Sequence, residues 1–175
     1  SGLKGAENYH KARNPDSIFH SEKYKKIFEI IKKNKNYTVL ELGCGTGIYT
    51  KFLVRDFKNV IATDIDPKMI NLAKEKIKCK FTIADSTNIP LEDNSIDLVM
   101  AISVMHHIKR RDRNNIFKEI KRVLRPNGYF VFCEPNKLNP ITLFFQKLQK
   151  EDSISRFEAK KLINKNGFKI IAIKE

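Results

Sequence analysis

Short apolar runs alternate along this chain with stretches whose apolar residues recur at three- and four-residue steps. No other feature restricts the fold as tightly. Val39–Leu42, Val60–Thr63, Lys80–Ala84, Ile96–Ser103, Tyr129–Cys133 and Phe168–Ile173 read as strands. Residues 21–33 place Tyr24, Ile27, Phe28 and Ile31 on one helical stripe, with Ser21 as the cap. Residues 48–57 resume a helical pattern through Ile48, Phe52 and Leu53, and Pro67–Lys78, capped by Asp66, turns Met69, Ile70 and Ala73 inward. Residues 112–124 put Ile116, Phe117, Ile120, Val123 and Leu124 on one face, Pro126-Asn127-Gly128 marks a turn, and Ser153–Asn166 is a helix stopped by Gly167. Strands separated by helices of this length pair in parallel through right-handed crossovers. The expected fold is therefore α/β, a doubly wound, mostly parallel sheet. Six strands are expected in the order 3-2-1-4-5-6, the last covering the edge of the fifth.

No repeat, low-complexity tract or linker divides the 175 residues, so they read as one domain. Residues 1–20 read as an N-terminal lid or tail, and residues 136–152 as a short connection on the substrate side. In open parallel sheets ligands bind beyond the carboxyl ends of the strands, where the strand order reverses. The segment VLELGCGTG, residues 39–47, stands at that place. Three of the seven glycines in the chain, Gly43, Gly45 and Gly47, follow the first strand within five positions. Glycines there let a ligand lie directly on the backbone. The spacing G-x-G-x-G departs from the dinucleotide fingerprint G-x-G-x-x-G. Glu41, two residues before the loop, disfavours a pyrophosphate and suits a ligand with a cationic part. Asp64 ends the second strand, where a carboxylate can accept from ribose hydroxyls, and Ile65 beside it can lie against a purine. Asp85 ends the third strand, where it can accept from an exocyclic amine. A cation, a ribose and an adenine are the parts of S-adenosyl-L-methionine (SAM).

On these residues the sequence resembles the class I SAM-dependent methyltransferases, most closely the type 11 group, over about residues 36 to 135. The elements that carry the likeness are VLELGCGTG, ATDIDPKMINLAK, ADSTNIPLEDNSIDLVMAISVMHHI and EIKRVLRPNGYFVFCEPN. The resemblance implies a Rossmann-like fold and a SAM site built from Glu41, Gly43, Cys44, Gly45, Gly47, Asp64, Ile65, Asp85, Ser86 and Ile102. It also implies that the usual sheet has a seventh, antiparallel strand between the fifth and sixth. This sequence shows six, so its C-terminal part reads as reduced.

His106 and His107 follow the fourth strand, near where an acceptor would sit, and are the candidates for removing its proton. Tyr9, His10 and Arg13 lie on the segment that folds over the cofactor in relatives. Asp97 reads as a structural acid at the start of the fourth strand, and Tyr49 as packed on the helix after the loop. The three cysteines, Cys44, Cys79 and Cys133, are scattered without a CxxC pair. Neither a zinc site nor a disulfide framework is indicated, no metal is expected, and free thiols fit a cytoplasmic protein. No apolar leader opens SGLKGAENYH and no run approaches the length of a membrane span. A formal charge of +14 suits a polyanionic partner, but Lys outnumbers Arg 26 to 8, which also fits a solvated lysine surface.

The acceptor reading the sequence favours is a small molecule or a glycan or lipid precursor, with EPNKLNP after the fifth strand resembling that group. A second reading is tRNA or another RNA. SVMHHIKRRDRNNIFKEIKRVLRPNG also resembles the wobble-uridine methyltransferases, and the basic run Lys109–Arg113 suits phosphates. A third is a non-catalytic SAM-binding partner subunit. The chain is expected to be a monomer or a homodimer.

Overall fold

The computed structural model describes residues 18–134 and 154–173. Its elements are α1 (Ile18–Ile30), β1 (Thr38–Leu42), α2 (Thr50–Asp56), β2 (Asn59–Asp64), α3 (Pro67–Lys74), β3 (Lys80–Ile83), β4 (Ile96–Ile102), α4 (Arg113–Val123), β5 (Leu124–Cys133) and α5 (Arg156–Lys165). The five strands form one sheet ordered β3-β2-β1-β4-β5, with every pair parallel. This is the expected order over the first five strands. Leu40 stands at the centre, opposite Ile61 on one side and Val99 on the other.

The central strands are apolar on both faces because both faces are covered. Val99 and Ala101 of β4, with Leu40 and Leu42 of β1, face Ile116, Phe117, Ile120 and Val123 of α4. Leu98 and Met100, with Val39, face the other way, against Tyr24 and Ile27 of α1 and Phe52 and Leu53 of α2. One-residue alternation along each strand thus serves two cores. The switch point falls between β1 and β4, so the cleft opens above the carboxyl end of β1.

Local signals explain several boundaries. Asp66 caps α3 by accepting from the Lys68 amide at 2.8 Å, with Pro67 in the first helical position. Ser155 caps α5 through the Glu158 amide at 3.1 Å. Ser21 does not cap α1, which already runs from Ile18. The burial of Tyr24, Ile27 and Ile31, rather than a local cap, carries that helix. Asp97 is structural as expected: its Oδ2 accepts from the Thr38 amide at 2.8 Å and from Arg125 at 2.6 Å. The expected turn at 126–128 is a bulge within β5. Ile96 pairs with Leu124 and Leu98 with Tyr129, and the intervening residues, with Asn127 at φ 64°, loop out.

The sixth strand does not form. Phe168–Ile173 takes up no strand conformation and adds nothing to the edge of β5. Phe168 alone is well anchored, against Phe130 and Phe117 at ring-centroid distances of 5.7 and 6.3 Å. Ile170, Ile171 and Ile173 remain exposed. α5 rests on the core through the partly buried Ala159, Leu162 and Ile163, and that cover ends at Phe168, so the isoleucines that follow have no apolar surface to pack on. An apolar run without a covered face is not enough to make a strand.

Candidate functional site

The carboxyl ends of β1, β2 and β3 carry a linked set of acids around the glycine loop. Gly43, Gly45 and Gly47 all have positive φ, at 65°, 54° and 86°. Two of them are needed for packing. A Cβ at Gly43 would lie 2.7 Å from Val104 Cγ2, and one at Gly47 would lie 2.5 Å from Ile77 Cδ1. At Gly45 a Cβ would meet nothing within 4 Å, so this residue exposes its backbone to the cleft. The Cys44 amide donates to Thr63 O at 2.9 Å, which ties the loop to β2.

Asp64 locks the loop from the other side. Its Oδ2 accepts from the Gly45 amide at 2.8 Å and its Oδ1 from the Asp66 amide at 2.9 Å. Each oxygen keeps a second lone pair for a ligand hydroxyl. Glu41 lies behind the loop, 4% exposed, and accepts from the Thr50 hydroxyl at 2.5 Å. Burial pushes its carboxyl up to about 8. The Thr50 hydrogen bond opposes this rise, and the charge of Asp64 adds to it. The Cys44 thiol is also pushed well up, first by burial and then by Glu41 and Asp64, so it is an inert packing group.

The end of β3 joins this unit through its backbone, the Ala84 amide donating to Asp64 O at 3.0 Å. Asp85 Oδ1 accepts from the amide and the hydroxyl of Thr87, both at 2.8 Å, and so closes the turn that follows. Ser86 is half-buried beside it. Ile65 is 67% exposed and Ile83 is 55% exposed. Two bare apolar side chains beside Asp64 and Asp85 suit the faces of a flat heterocycle. The structure therefore brings together Glu41, the glycine loop, Asp64, Ile65 and the Asp85 turn. Ile102 ends β4, next to Ser103, which has φ 58° and donates its amide to Cys133 O at 2.8 Å. Tyr9, His10 and Arg13 lie outside the described residues.

His106 is held by a residue that the pattern of motifs did not single out. Glu134, just past β5, accepts from the amides of Val104, Met105 and His106 at 3.0, 2.9 and 3.3 Å. Its Oε2 also lies 2.6 Å from His106 Nδ1. His106 is 5% exposed, while His107 faces solvent with its ring 4.1 Å from that of His106. Glu134 occupies the end of its strand as Asp64 and Asp85 do theirs, and that shared position was the available signal. Thr50, the partner of Glu41, carried none. The basic run that was expected to suit phosphates is partly internal. Arg113 is fully buried, donating to Ile108 O at 3.2 Å and to Glu158 at 2.9 Å, and Arg110 lies 3.5 Å from the same carboxylate. Among the described residues, no helix is long and apolar enough to cross a membrane.

Residues 40–132 match the model of a family described as a methyltransferase domain, type 11. An uncharacterized methyltransferase of Oceanobacillus iheyensis is 31% identical over 153 residues, covering 86% of this chain and 65% of that protein. A mouse protein named probable tRNA methyltransferase 9B is 32% identical over 91 residues, covering 51% of this chain and 20% of that protein. The chain thus spans less than two thirds of the length of these relatives. A SAM-dependent methyltransferase of Archaeoglobus fulgidus superposes with a TM-score of 0.74 at 19% identity, over 86% of this chain and 69% of that one. That likeness extends to the fold.

Proposed function

We propose that this chain, which belongs to the type 11 methyltransferase-domain family, binds SAM in the cleft above β1. There it transfers the methyl group to a small-molecule acceptor, a glycan or lipid precursor included. The observation that carries this reading is the buried Glu41 carboxyl behind a positive-φ glycine loop whose Gly45 amide is held by Asp64. When bound, SAM supplies a methyl group on a positively charged sulfur, so that transfer needs alignment more than activation. In this reading Asp64 holds the ribose hydroxyls. Ile65 and Ile83 flank the adenine, with Asp85 and Ser86 at its edge. Gly45 gives the methionine part access to the backbone, and Glu41 answers its positive charge. Ile102 closes the side toward the acceptor. His106 and His107 are the candidates to receive the acceptor's proton in this reading, His107 being the exposed one of the pair.

The acids at this end of the sheet, Asp64, Asp66, Asp85 and Glu134 among them, support a small acceptor, since they repel phosphates laid directly over them, while the exposed Lys109, Arg110 and Arg111 beyond β4 are the groups at this end that attract phosphates. The name of the mouse relative supports RNA as the second acceptor reading. The test is calorimetry with SAM, its demethylated product and NAD, followed by turnover of methyl-labelled SAM against fractionated metabolites and RNA. Binding of SAM but not NAD, with label in the metabolite fractions, is expected. NAD binding tighter than SAM overturns the cofactor, and label in RNA alone overturns the acceptor.

A further inference from the structure

The opposite end of the sheet carries a row of lysines. The turns that lead into β1, β2 and β3 carry Lys32, Lys33 and Lys35, then Lys58, then Lys78 and Lys80, all exposed. The first two turns are joined, the Lys58 amide donating to Lys35 O at 3.0 Å. The α1–β1 turn is also ordered internally: the amides of Asn36 and Tyr37 donate to Asn34 Oδ1 and O at 3.0 and 2.9 Å. Two depressions lie along this rim. One, of about 480 Å³, includes Lys58, Lys78 and Lys80 in its lining. The other, of about 530 Å³, is lined by Lys32, Lys33 and Lys35 with Tyr37 and Tyr129. Neighbouring strands stand roughly 5 Å apart, so the lysines at their starts form a row rather than a scatter.

Two carboxylates on this rim, Asp56 and Asp97, are already engaged. Asp56 is held by Lys33, Arg55 and the Tyr24 hydroxyl, and Asp97 by the Thr38 amide and Arg125. Among the described residues, Lys33 is the one lysine of the six with a carboxylate partner. The acids of the cleft lie at the other ends of the strands, roughly 16 Å away for a five-residue strand. We propose that this amino-end lysine rim is a binding face for RNA, whose phosphates seat on Lys35, Lys58, Lys78 and Lys80 while Tyr37 and Tyr129 offer ring faces to bases. An anionic membrane fits less well. It calls for apolar side chains that project into the bilayer, and none of the large exposed apolar residues lines either depression. RNA held on this rim leaves the carboxyl-end cleft open, so the inference stands apart from the identity of the methyl acceptor.

The test uses the full chain and a fluorescein-labelled single-stranded RNA of mixed sequence, read by anisotropy over a KCl series. Binding that falls steeply with salt is expected. The triple variant Lys35→Glu/Lys58→Glu/Lys80→Glu should weaken it by about tenfold or more at low salt. It should also flatten the log–log salt slope by roughly 2, one phosphate contact per lysine. Lys160→Glu/Lys161→Glu, exposed on α5 and away from the rim, should leave the affinity within about twofold of the parent. Calorimetry with SAM checks that the triple variant is folded and separates loss of the rim from loss of the cleft. RNA affinity unchanged in the triple variant, or lowered equally by the control pair, overturns the proposal. So does capture by phosphatidylserine vesicles that is sensitive to the triple change when RNA binding is not.

Discussion

Glu41 is an acid that the folded chain holds protonated near neutral pH. Its carboxyl rises from about 4.5 to about 8, chiefly through burial. A group whose pKa is raised on folding contributes its full stability below its unfolded value, and that contribution is lost as pH rises through the folded value. Denaturant unfolding of the ligand-free chain should therefore show stability falling between about pH 5 and about pH 8, and Glu41→Gln should flatten that part of the curve. Cofactor affinity should move in the opposite direction. A positively charged ligand favours the ionised carboxylate, so calorimetry from about pH 6 to about pH 8.5 should show SAM binding strengthening, with the dependence gone in Glu41→Gln. A pH-independent affinity in the parent would remove Glu41 from the cofactor site. Asp64→Ala should weaken SAM by roughly 1.5–3 kcal/mol, because it removes a charged acceptor and also frees the Gly45 amide. An affinity within about twofold of the parent would mean that Asp64 does not hold the ribose. Both acids were legible because each stands at the end of an apolar run. What Glu41 does was less so, since its protonation follows from the walls around it and from Thr50, nine positions away on the next helix.

The elements divide along a similar line. Five strands and the helices between them could be placed from periodicity, and their order followed from the handedness of parallel crossovers. The sixth strand could not, because whether an apolar segment becomes a strand depends on a neighbour to cover it, and past Phe168 the isoleucines are left exposed. Ser21 failed as a cap for a related reason: capping chemistry fits many serines, and burial of Tyr24 and Ile27 decided where α1 lies. Glu134 lies in the run that ends β5 with no local sign of its partners, yet it joins two elements, closing the turn after β4 from the end of β5. Glu134→Ala leaves the amides of Val104 and Met105 without their acceptor in a largely covered site. A loss of about 2–3 kcal/mol is expected in denaturant unfolding. Methyl transfer should fall by more than SAM affinity does, since Asp64 and the glycine loop are untouched. Equal losses in both would make Glu134 a general support of the fold.

For the molecule as a whole, charge is the property that local pattern reported and did not locate. A net charge of +14 on 175 residues was compatible with a basic run at 109–113, but Arg113 turned inward to Glu158. The exposed lysines of three strand-leading turns line one rim of the sheet instead. Sequence distance hid this, because Lys35, Lys58 and Lys80 are neighbours only once β1, β2 and β3 are side by side. Such a distribution has a consequence for folding. Like charges gathered on one rim repel in the folded state, and exposed pairs such as Arg122 with Asp93 offset little of this, since surface ion pairs contribute about 0–1 kcal/mol each. Salt shortens the reach of that repulsion from about 30 Å at 0.01 M to about 8 Å at 0.15 M. The melting temperature of the ligand-free chain should therefore rise over this range, and Lys35→Glu/Lys58→Glu/Lys80→Glu should melt higher than the parent at low salt, with the difference shrinking as salt is added. Calorimetry at the two ionic strengths reads both effects. A melting temperature that falls with salt would mean that attraction within pairs such as Arg122–Glu119 and Arg113–Glu158 outweighs repulsion along the lysine rim.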